Sequence, residues 1–253
     1  MTGTCLITGG SRGIGRATAL AAARAGWDIA INYRDRADAA ESLAAQIRAL
    51  GRKALTIRAD VAVEADIVAM FAKAQSGLGA IRALVNSAGI SNHGRVDSLD
   101  AAALRRMMEV NVIGLMLCCR EAARRMSTAH GGQGGAIVNV SSMAATIGGR
   151  GGASTYAASK GAVDVFTTGL AKEVGAEGIR VNVVRPGVTE TDMIVGMHTG
   201  PMRAEVEASI PMKRFGQPEE VAQAIVWLLS DQASFVTGAH INAGGGGFLV
   251  GSG

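Results

Sequence analysis

The feature that most constrains this chain is a regular alternation of two kinds of segment. Short apolar runs bounded by glycine or polar residues recur at Thr4–Thr8, Trp27–Tyr33, Ala54–Ala59, Ala83–Asn86, Ala136–Val140, Arg180–Val184 and Ala239–Asn242. Runs of this length and composition read as buried strands. Between them lie segments rich in Ala, Leu, Arg and Glu with apolar residues at helical intervals: Ile14–Ala25, Ala37–Leu50, Glu64–Gln75, Ala101–Met126, Ser154–Gly175 and Pro218–Leu229. Parallel neighbours need crossover helices, and those helices cover both faces of the sheet. The expected fold is therefore a single-domain α/β fold over residues 1–253, a doubly wound, seven-stranded parallel sheet with helices on both faces. Such a sheet binds its ligands at the carboxyl ends of its strands.

Composition removes several function classes. A chain of 253 residues buries enough surface to need no disulfide staple or structural metal. Cys5, Cys118 and Cys119 match neither a disulfide framework nor a zinc spacing and read as small core residues. His93, His130, His198 and His240 lie far apart, so no metal site is expected; His93 is kept as a residue that could line the substrate cleft. No apolar stretch reaches the ~20 residues of a membrane span, and no basic-then-apolar leader opens the chain. A cytoplasmic location with no membrane partner is expected. The 25 basic and 21 acidic side chains are interspersed and aromatics make up 4%, so no nucleic-acid surface is expected. Gly131–Gly135 reads as a flexible connector, and all four prolines fall between residues 186 and 218, where irregular structure is expected. Within that region, residues 188–215 read as a substrate-binding lid carrying Met193, Met197, Met202 and Met212.

The first chemical signal follows the first strand: Thr8-Gly9-Gly10-Ser11-Arg12-Gly13-Ile14-Gly15, then a helix. Glycines let a backbone turn tightly against a pyrophosphate, whose charge the helix N-terminus stabilises. The strand-turn-helix context is what such a motif requires. At the end of the second strand, an acid suits the ribose hydroxyls of NAD and a base suits the 2′-phosphate of NADP. Here the strand ends Asn32-Tyr33-Arg34, so Arg34 and Arg12 form a candidate clamp on that phosphate. NADP(H) is favoured, and Asp35 beside Arg34 leaves NAD(H) use open.

The second signal is a serine, a tyrosine and a lysine. Tyr156 and Lys160 are four residues apart in a helical segment and share a face. A phenol titrates near pH 10, and bringing it toward 7 takes about 4 kcal/mol of preferential stabilisation of the phenolate. A neighbouring ammonium and an oxidised nicotinamide ring are the right kind of source. Ser142, just past Ala136–Val140, is expected at the carboxyl edge of the sheet, with Ser141 as the competing candidate.

These motifs, together with Asn86-Ser87-Ala88-Gly89, Asn111, Tyr156-Ala157-Ala158-Ser159-Lys160 and Pro186-Gly187, resemble those of the short-chain dehydrogenase/reductase family, with its Rossmann-like fold. The likeness runs over nearly the whole chain, to Pro218-Glu219-Glu220-Val221-Ala222 and Ser234-Phe235-Val236-Thr237-Gly238. It points to the short single-domain type, similar to 3-oxoacyl-carrier-protein reductases and glucose dehydrogenases. The three residues between Tyr156 and Lys160 set it apart from the enoyl reductase branch.

The resemblance implies roles. Tyr156 is the general acid or base, Ser142 hydrogen-bonds the substrate oxygen, Lys160 holds the nicotinamide ribose and lowers the Tyr156 pKa, and Asn111 fixes a water that relays protons to Lys160. Cofactor contacts carry over to Gly9, Ser11, Arg12, Gly13, Ile14 and Gly15, and to Arg34. Asp60 and Val61 match the adenine-recognising pair, and Asn86, Ala88 and Gly89 lie where the adenosine ribose passes. Pro186, Gly187, Val188 and Thr191 match the carboxamide and phosphate contacts. The implied substrate is a small carbonyl or alcohol, either a 3-oxoacyl thioester or other ketone, or alternatively a sugar or polyol. A catalytically silent nicotinamide-binding protein is the remaining alternative. A homotetramer is implied, with apolar surface offered by Val112–Leu117 and Phe248–Val250. Two departures stand out. Ser87 replaces the second Asn of Asn-Asn-Ala-Gly, and Asn242-Ala243-Gly244-Gly245 replaces Val-Asp-Gly-Gly.

Overall fold

Seven parallel strands form one sheet in a computed structural model that describes residues 2–192, 194 and 200–247. They are β1 (Thr4–Thr8), β2 (Asp28–Tyr33), β3 (Ala54–Arg58), β4 (Ile81–Asn86), β5 (Gly135–Val140), β6 (Ile179–Pro186) and β7 (His240–Ala243). The spatial order is β3-β2-β1-β4-β5-β6-β7, so the winding reverses between β1 and β4. The strand bounds fall within two residues of those read from the apolar runs.

The helices are α1 (Gly13–Arg24), α2 (Ala37–Ala49), α3 (Glu64–Leu78), α4 (Ala101–Met108), α5 (Gly114–Met126), α6 (Ala144–Ile147), α7 (Ser154–Val174), α8 (Gly200–Ser209) and α9 (Pro218–Leu229). Side chains alternate across each strand, so β1 sends Cys5 and Ile7 to one face and Leu6 to the other. The first face packs with Leu43 and Ile47 of α2 and Ile225 and Leu228 of α9; the second packs with Phe71 of α3, Leu115 and Cys118 of α5 and Val163 of α7. All three cysteines are buried, and burial pushes the Cys119 thiol up to about 12 against its hydrogen bonds with Asn139 and Asn86. They are core residues with no reactive thiolate.

Three local expectations need correction. The segment Ala101–Met126 is two helices joined by a π turn over Glu109–Ile113. The cause lies in packing: a methyl on Gly114 would sit 2.1 Å from the Val61 carbonyl oxygen, so α5 presses directly on the chain after β3. The Gly131–Gly135 stretch is a fitted connector. Its Gly132 and Gly134 N–H groups donate to Ser127 and Met126, and methyls at Gly132, Gly134 and Gly135 would all lie within 2.5 Å of neighbouring atoms. The region after Pro186 contains the helix α8, whose Val206 packs with Ile210 and Phe215 in a small separate cluster. Met193, Met197 and His198 lie outside the described residues, as do Phe248–Val250. Of Val112–Leu117, Val112 and Leu115 are buried in the chain's own core, and Ile113 is the exposed member.

The two sequence departures are absorbed. Thr8 Oγ1 accepts the N–H groups of Ser87 and Ala88, tying the end of β1 to the turn after β4. β7 pairs with β6 in register through Ala243 opposite Pro186.

Candidate active site

The carboxyl ends of β1, β4, β5 and β6 bring the second motif together. Ser142 follows β5, Tyr156 and Lys160 project from α7, and Asn111 sits on the π turn, a distortion often found at functional sites. Ser142 forms a hydrogen bond with Tyr156, and its Oγ also accepts the Ala144 N–H at 3.1 Å. Ser141 is excluded from this role by geometry: its buried hydroxyl donates to the Lys160 carbonyl oxygen at 3.1 Å. The Lys160 ammonium lies 5.9 Å from the Tyr156 ring centroid and donates to the Val140 carbonyl at 2.9 Å.

Asn111 is fully buried and held from two sides. It accepts the Ile90 N–H at 2.9 Å, and its amide donates to Ile90 O at 2.9 Å and Ser159 Oγ at 3.1 Å. Both amide hydrogens are spent on protein. Any water that Asn111 holds has to use its main chain or the remaining lone pair. Gly89 brackets the same place, since a methyl there would lie 3.4 Å from Asn111 Oδ1 and 3.5 Å from Lys160 Nζ.

The electrostatics differ from the expectation in one respect. Burial pushes the Tyr156 phenol above its ordinary value, and the Ser142 hydrogen bond opposes this without overcoming it. Burial also pulls the Lys160 ammonium down to about 8, with Asp164 one turn away resisting. The protein alone therefore does not bring Tyr156 toward neutrality, because its nearest cation is desolvated and anchored to a carbonyl.

The glycine turn fits a dinucleotide. Gly9 and Gly13 have φ of +62° and +52°, conformations that glycine adopts without strain. A methyl on Gly9 would meet Ala88 Cα at 2.8 Å, one on Gly13 would meet Thr191 Cγ2 at 3.2 Å, and one on Gly15 would meet Gly9 O at 2.4 Å. No side chain caps the N-terminus of α1, which leaves its first N–H groups for an anion. Ser11 is buried in the turn beside Arg12, and Ile14 packs on the core as α1 begins. Thr191 thus closes on Gly13, and Ala88 on Gly9, at the turn after β1. Pro186 ends β6, Gly187 donates to the Ala243 carbonyl at 3.0 Å, and Val188 packs on the cluster formed with α8.

At the end of β2, Arg34 pairs with Asp35 at 2.6 Å, and Arg12 lies 3.9 Å from Asp192. Arg58, opposite Tyr33 on β3, donates to the Arg34 carbonyl at 3.2 Å. Arg34, Arg58 and Arg12 all act on the Asp35 carboxylate, whose pKa is lowered chiefly by its hydrogen bond from Arg34. Arg58 was not singled out in the sequence; its place beside Arg34 follows from the pairing of β2 with β3.

Two expected contacts are differently placed. The Asn86 side chain is turned into the core, donating to Asn139 Oδ1 at 2.9 Å and to Cys119 Sγ at 3.3 Å; the cross-strand Asn–Asn pair explains its burial. Only its main chain is left for a ribose. The Asp60 carboxylate is salt-bridged to Arg106 at 2.6 Å and accepts the Ala62 N–H, with Val61 buried beside it. His93 is exposed and bonded to Ser91 Oγ at 2.9 Å. Among the described residues no group of three or more His, Cys, Asp or Glu could hold a metal, and no helix is long and apolar enough to cross a membrane.

Comparison with known proteins decides the family. A model described as "Enoyl-(Acyl carrier protein) reductase" matches residues 9–247. The chain belongs to the short-chain dehydrogenase/reductase family. It is 50% identical to an uncharacterized oxidoreductase, YgfF, of Escherichia coli K12 over 95% of this chain and 98% of that one. It is 40% identical to a cis-4-hydroxycyclohexanecarboxylate dehydrogenase of Sinomonas cyclohexanicum, over 95% and 94%. A short-chain dehydrogenase of Burkholderia cenocepacia J2315, solved in complex with NADP, superposes with a TM-score of 0.90 at 34% identity, covering 97% of each chain. As a family member the chain is an NAD(P)-dependent oxidoreductase acting on CH–OH or C=O groups.

Proposed function

We propose that this protein is an NADP(H)-dependent reductase of ketones, or in reverse a dehydrogenase of secondary alcohols, with a single catalytic domain and a lid formed by residues 188–215. The observation that carries this reading is the meeting of Ser142, Tyr156, Lys160 and Asn111 around Gly89. A nicotinamide cofactor held beside Tyr156 and Lys160 would supply the hydride chemistry and, when oxidised, a positive charge near the buried phenol. Ser142 and Tyr156 hydrogen-bond the substrate oxygen, and Tyr156 delivers its proton as negative charge develops there. Lys160 holds the ribose hydroxyls beside Gly89, and Asn111 fixes the floor of the site through Ile90 and Ser159. The gap of three residues between Tyr156 and Lys160 favours carbonyl over carbon–carbon double-bond reduction.

A small ketone or oxoacyl group is favoured over a polyol by the lid. Val188, Val206, Ile210 and Phe215 make its inner packing apolar, and Met202 and Met212 are more than half exposed beside it. Methionines adapt to varied apolar shapes. The relative named for a hydroxycyclohexanecarboxylate acts on a ring carrying one hydroxyl, which accords with this reading. Exposed Ile113 and Val165, on the π turn and on α7, support packing between copies of the chain and hence a homotetramer.

The NADP(H) preference rests on Arg12 and Arg34, with Arg58 behind them. Fluorescence titration of the wild type is expected to give tighter binding of NADPH than NADH. Arg34→Ala is expected to weaken NADPH by about tenfold or more, the loss of one charge-assisted bond, while leaving NADH within about twofold. Equal weakening of both cofactors would contradict the phosphate clamp.

A further inference from the structure

The acid expected to recognise adenine is held by a residue that no motif singles out. Arg106 on α4, 46 positions after Asp60, places one guanidinium nitrogen, Nη2, 2.9 Å from Asp60 Oδ1 and 2.6 Å from Oδ2. The rest of Asp60 is fixed by its own segment. Its N–H donates to Asp66 Oδ2 at 2.9 Å, its carbonyl accepts the Val63 N–H at 2.9 Å, and Oδ1 accepts the Ala62 N–H at 3.0 Å. A carboxylate anchored through Oδ1 alone can still swing its other oxygen. A cation that straddles both oxygens stops that motion.

An ionised carboxylate has about four acceptor positions. Oδ1 gives two, to Ala62 and Arg106, and Oδ2 gives one, to Arg106. Among the described residues nothing takes the remaining position on Oδ2. The next residue, Val61, lines a crevice with Thr8, Ala88 and Val110, and Val110 follows Arg106 by four residues on the π turn. Burial pushes the Asp60 pKa up, but the Ala62 N–H and the Arg106 guanidinium outweigh this and hold it below the usual carboxylate range, with a weaker pull from Arg34. Asp60 is therefore an acceptor only at neutral pH.

We propose that Arg106 is a positioning residue for cofactor recognition: it holds the Asp60 carboxylate so that its remaining lone pair accepts the amino group of adenine, and the chain thereby discriminates a 6-amino from a 6-oxo purine. This rests on the reading of the chain as a binder of an adenine dinucleotide. The exocyclic amine of adenine donates, whereas hypoxanthine presents a carbonyl oxygen at the same place. Two acceptors facing each other repel, and a polar group deprived of its partner costs binding. A merely structural tie between α4 and the chain after β3 has a different consequence, since its loss weakens both dinucleotides alike.

The test reads binding and needs no turnover. Fluorescence titration of the wild type is expected to show NADPH bound about tenfold more tightly than its hypoxanthine counterpart, the worth of one hydrogen bond to a charged group. Arg106→Gln is expected to weaken NADPH about fivefold and to leave the counterpart within about twofold, so that the preference falls to about twofold. Arg106→Lys keeps the charge without the planar fork, and its preference is expected to lie between the two. Thermal melts show which variants are folded; if Arg106→Gln is not, the Arg106→Lys preference decides. An undiminished preference in the folded variants, an equal loss of both ligands, or no preference in the wild type would overturn the proposal. Absence of ketone turnover with these preferences as expected would overturn the functional reading instead and leave the proposal standing.

Discussion

Replacing Tyr156 with phenylalanine is expected to reduce turnover by about a thousandfold or more while NADPH binding stays within about twofold of the wild type. The removed hydroxyl is the one assigned to deliver the proton to the substrate oxygen, and positioned acid–base groups contribute about 10²–10⁴ in rate. The ring remains to pack beside Lys160, 5.9 Å from its ammonium, so the cofactor contacts of Lys160 are preserved. Ser142 retains its bond from the Ala144 N–H and so keeps its position. Loss confined to kcat identifies a transition-state role; a rise in KM alone would mean that Tyr156 only helps to bind substrate.

The second large effect is on stability. Glu121 on α5 is buried, with side-chain exposure of 3%, and its carboxylate receives Arg120 at 3.1 Å, Arg124 at 2.9 Å and Arg125 at 2.5 Å. Burial pushes its pKa up, but the Arg125 and Arg120 guanidiniums outweigh this and hold it below the usual carboxylate range. Glu121→Gln turns an amide N–H₂ toward an arginine and removes the charge that satisfies three guanidiniums. Breaking such a buried pair from one side costs about 3 kcal/mol, read as a lower urea midpoint at unchanged slope. Because the folded pKa is depressed, the Glu121 contribution is fully present above the unfolded value of about 4.3 and is lost as pH falls through the folded value. The stability gap between wild type and Glu121→Gln is therefore expected to be constant near neutrality and to narrow in acid. A gap that widened in acid would contradict the assignment.

Much of this was legible in the sequence for identifiable reasons. Strand bounds could be read because parallel strands buried on both faces are continuous apolar runs, as in Cys5-Leu6-Ile7 and Ala136-Ile137-Val138. The glycine turn and the Tyr156–Lys160 spacing could be read because each is local. What escaped depends on contacts between distant segments. The π turn at Glu109–Ile113 arises from the approach of Gly114 to Val61, 53 positions earlier. Ser142 and Ser141 became distinguishable once α7 lay against β5, since Lys160 takes one hydroxyl and Tyr156 the other. The tightness of Gly131–Gly135 depends on Arg82 and Gly178, which composition does not report. Arg58 gained meaning only from the strand beside it.

The most direct test of the central claim is the rate of NADPH oxidation by the wild-type protein against a panel of cyclic ketones, 3-oxoacyl thioesters and linear ketones, with polyols and NADP+ run in reverse. The account predicts turnover of at least one ketone class, and its loss in Tyr156→Phe. Turnover of polyols alone would contradict the apolar-lid reading of substrate, and ketone reduction that persists in Tyr156→Phe would contradict the mechanism.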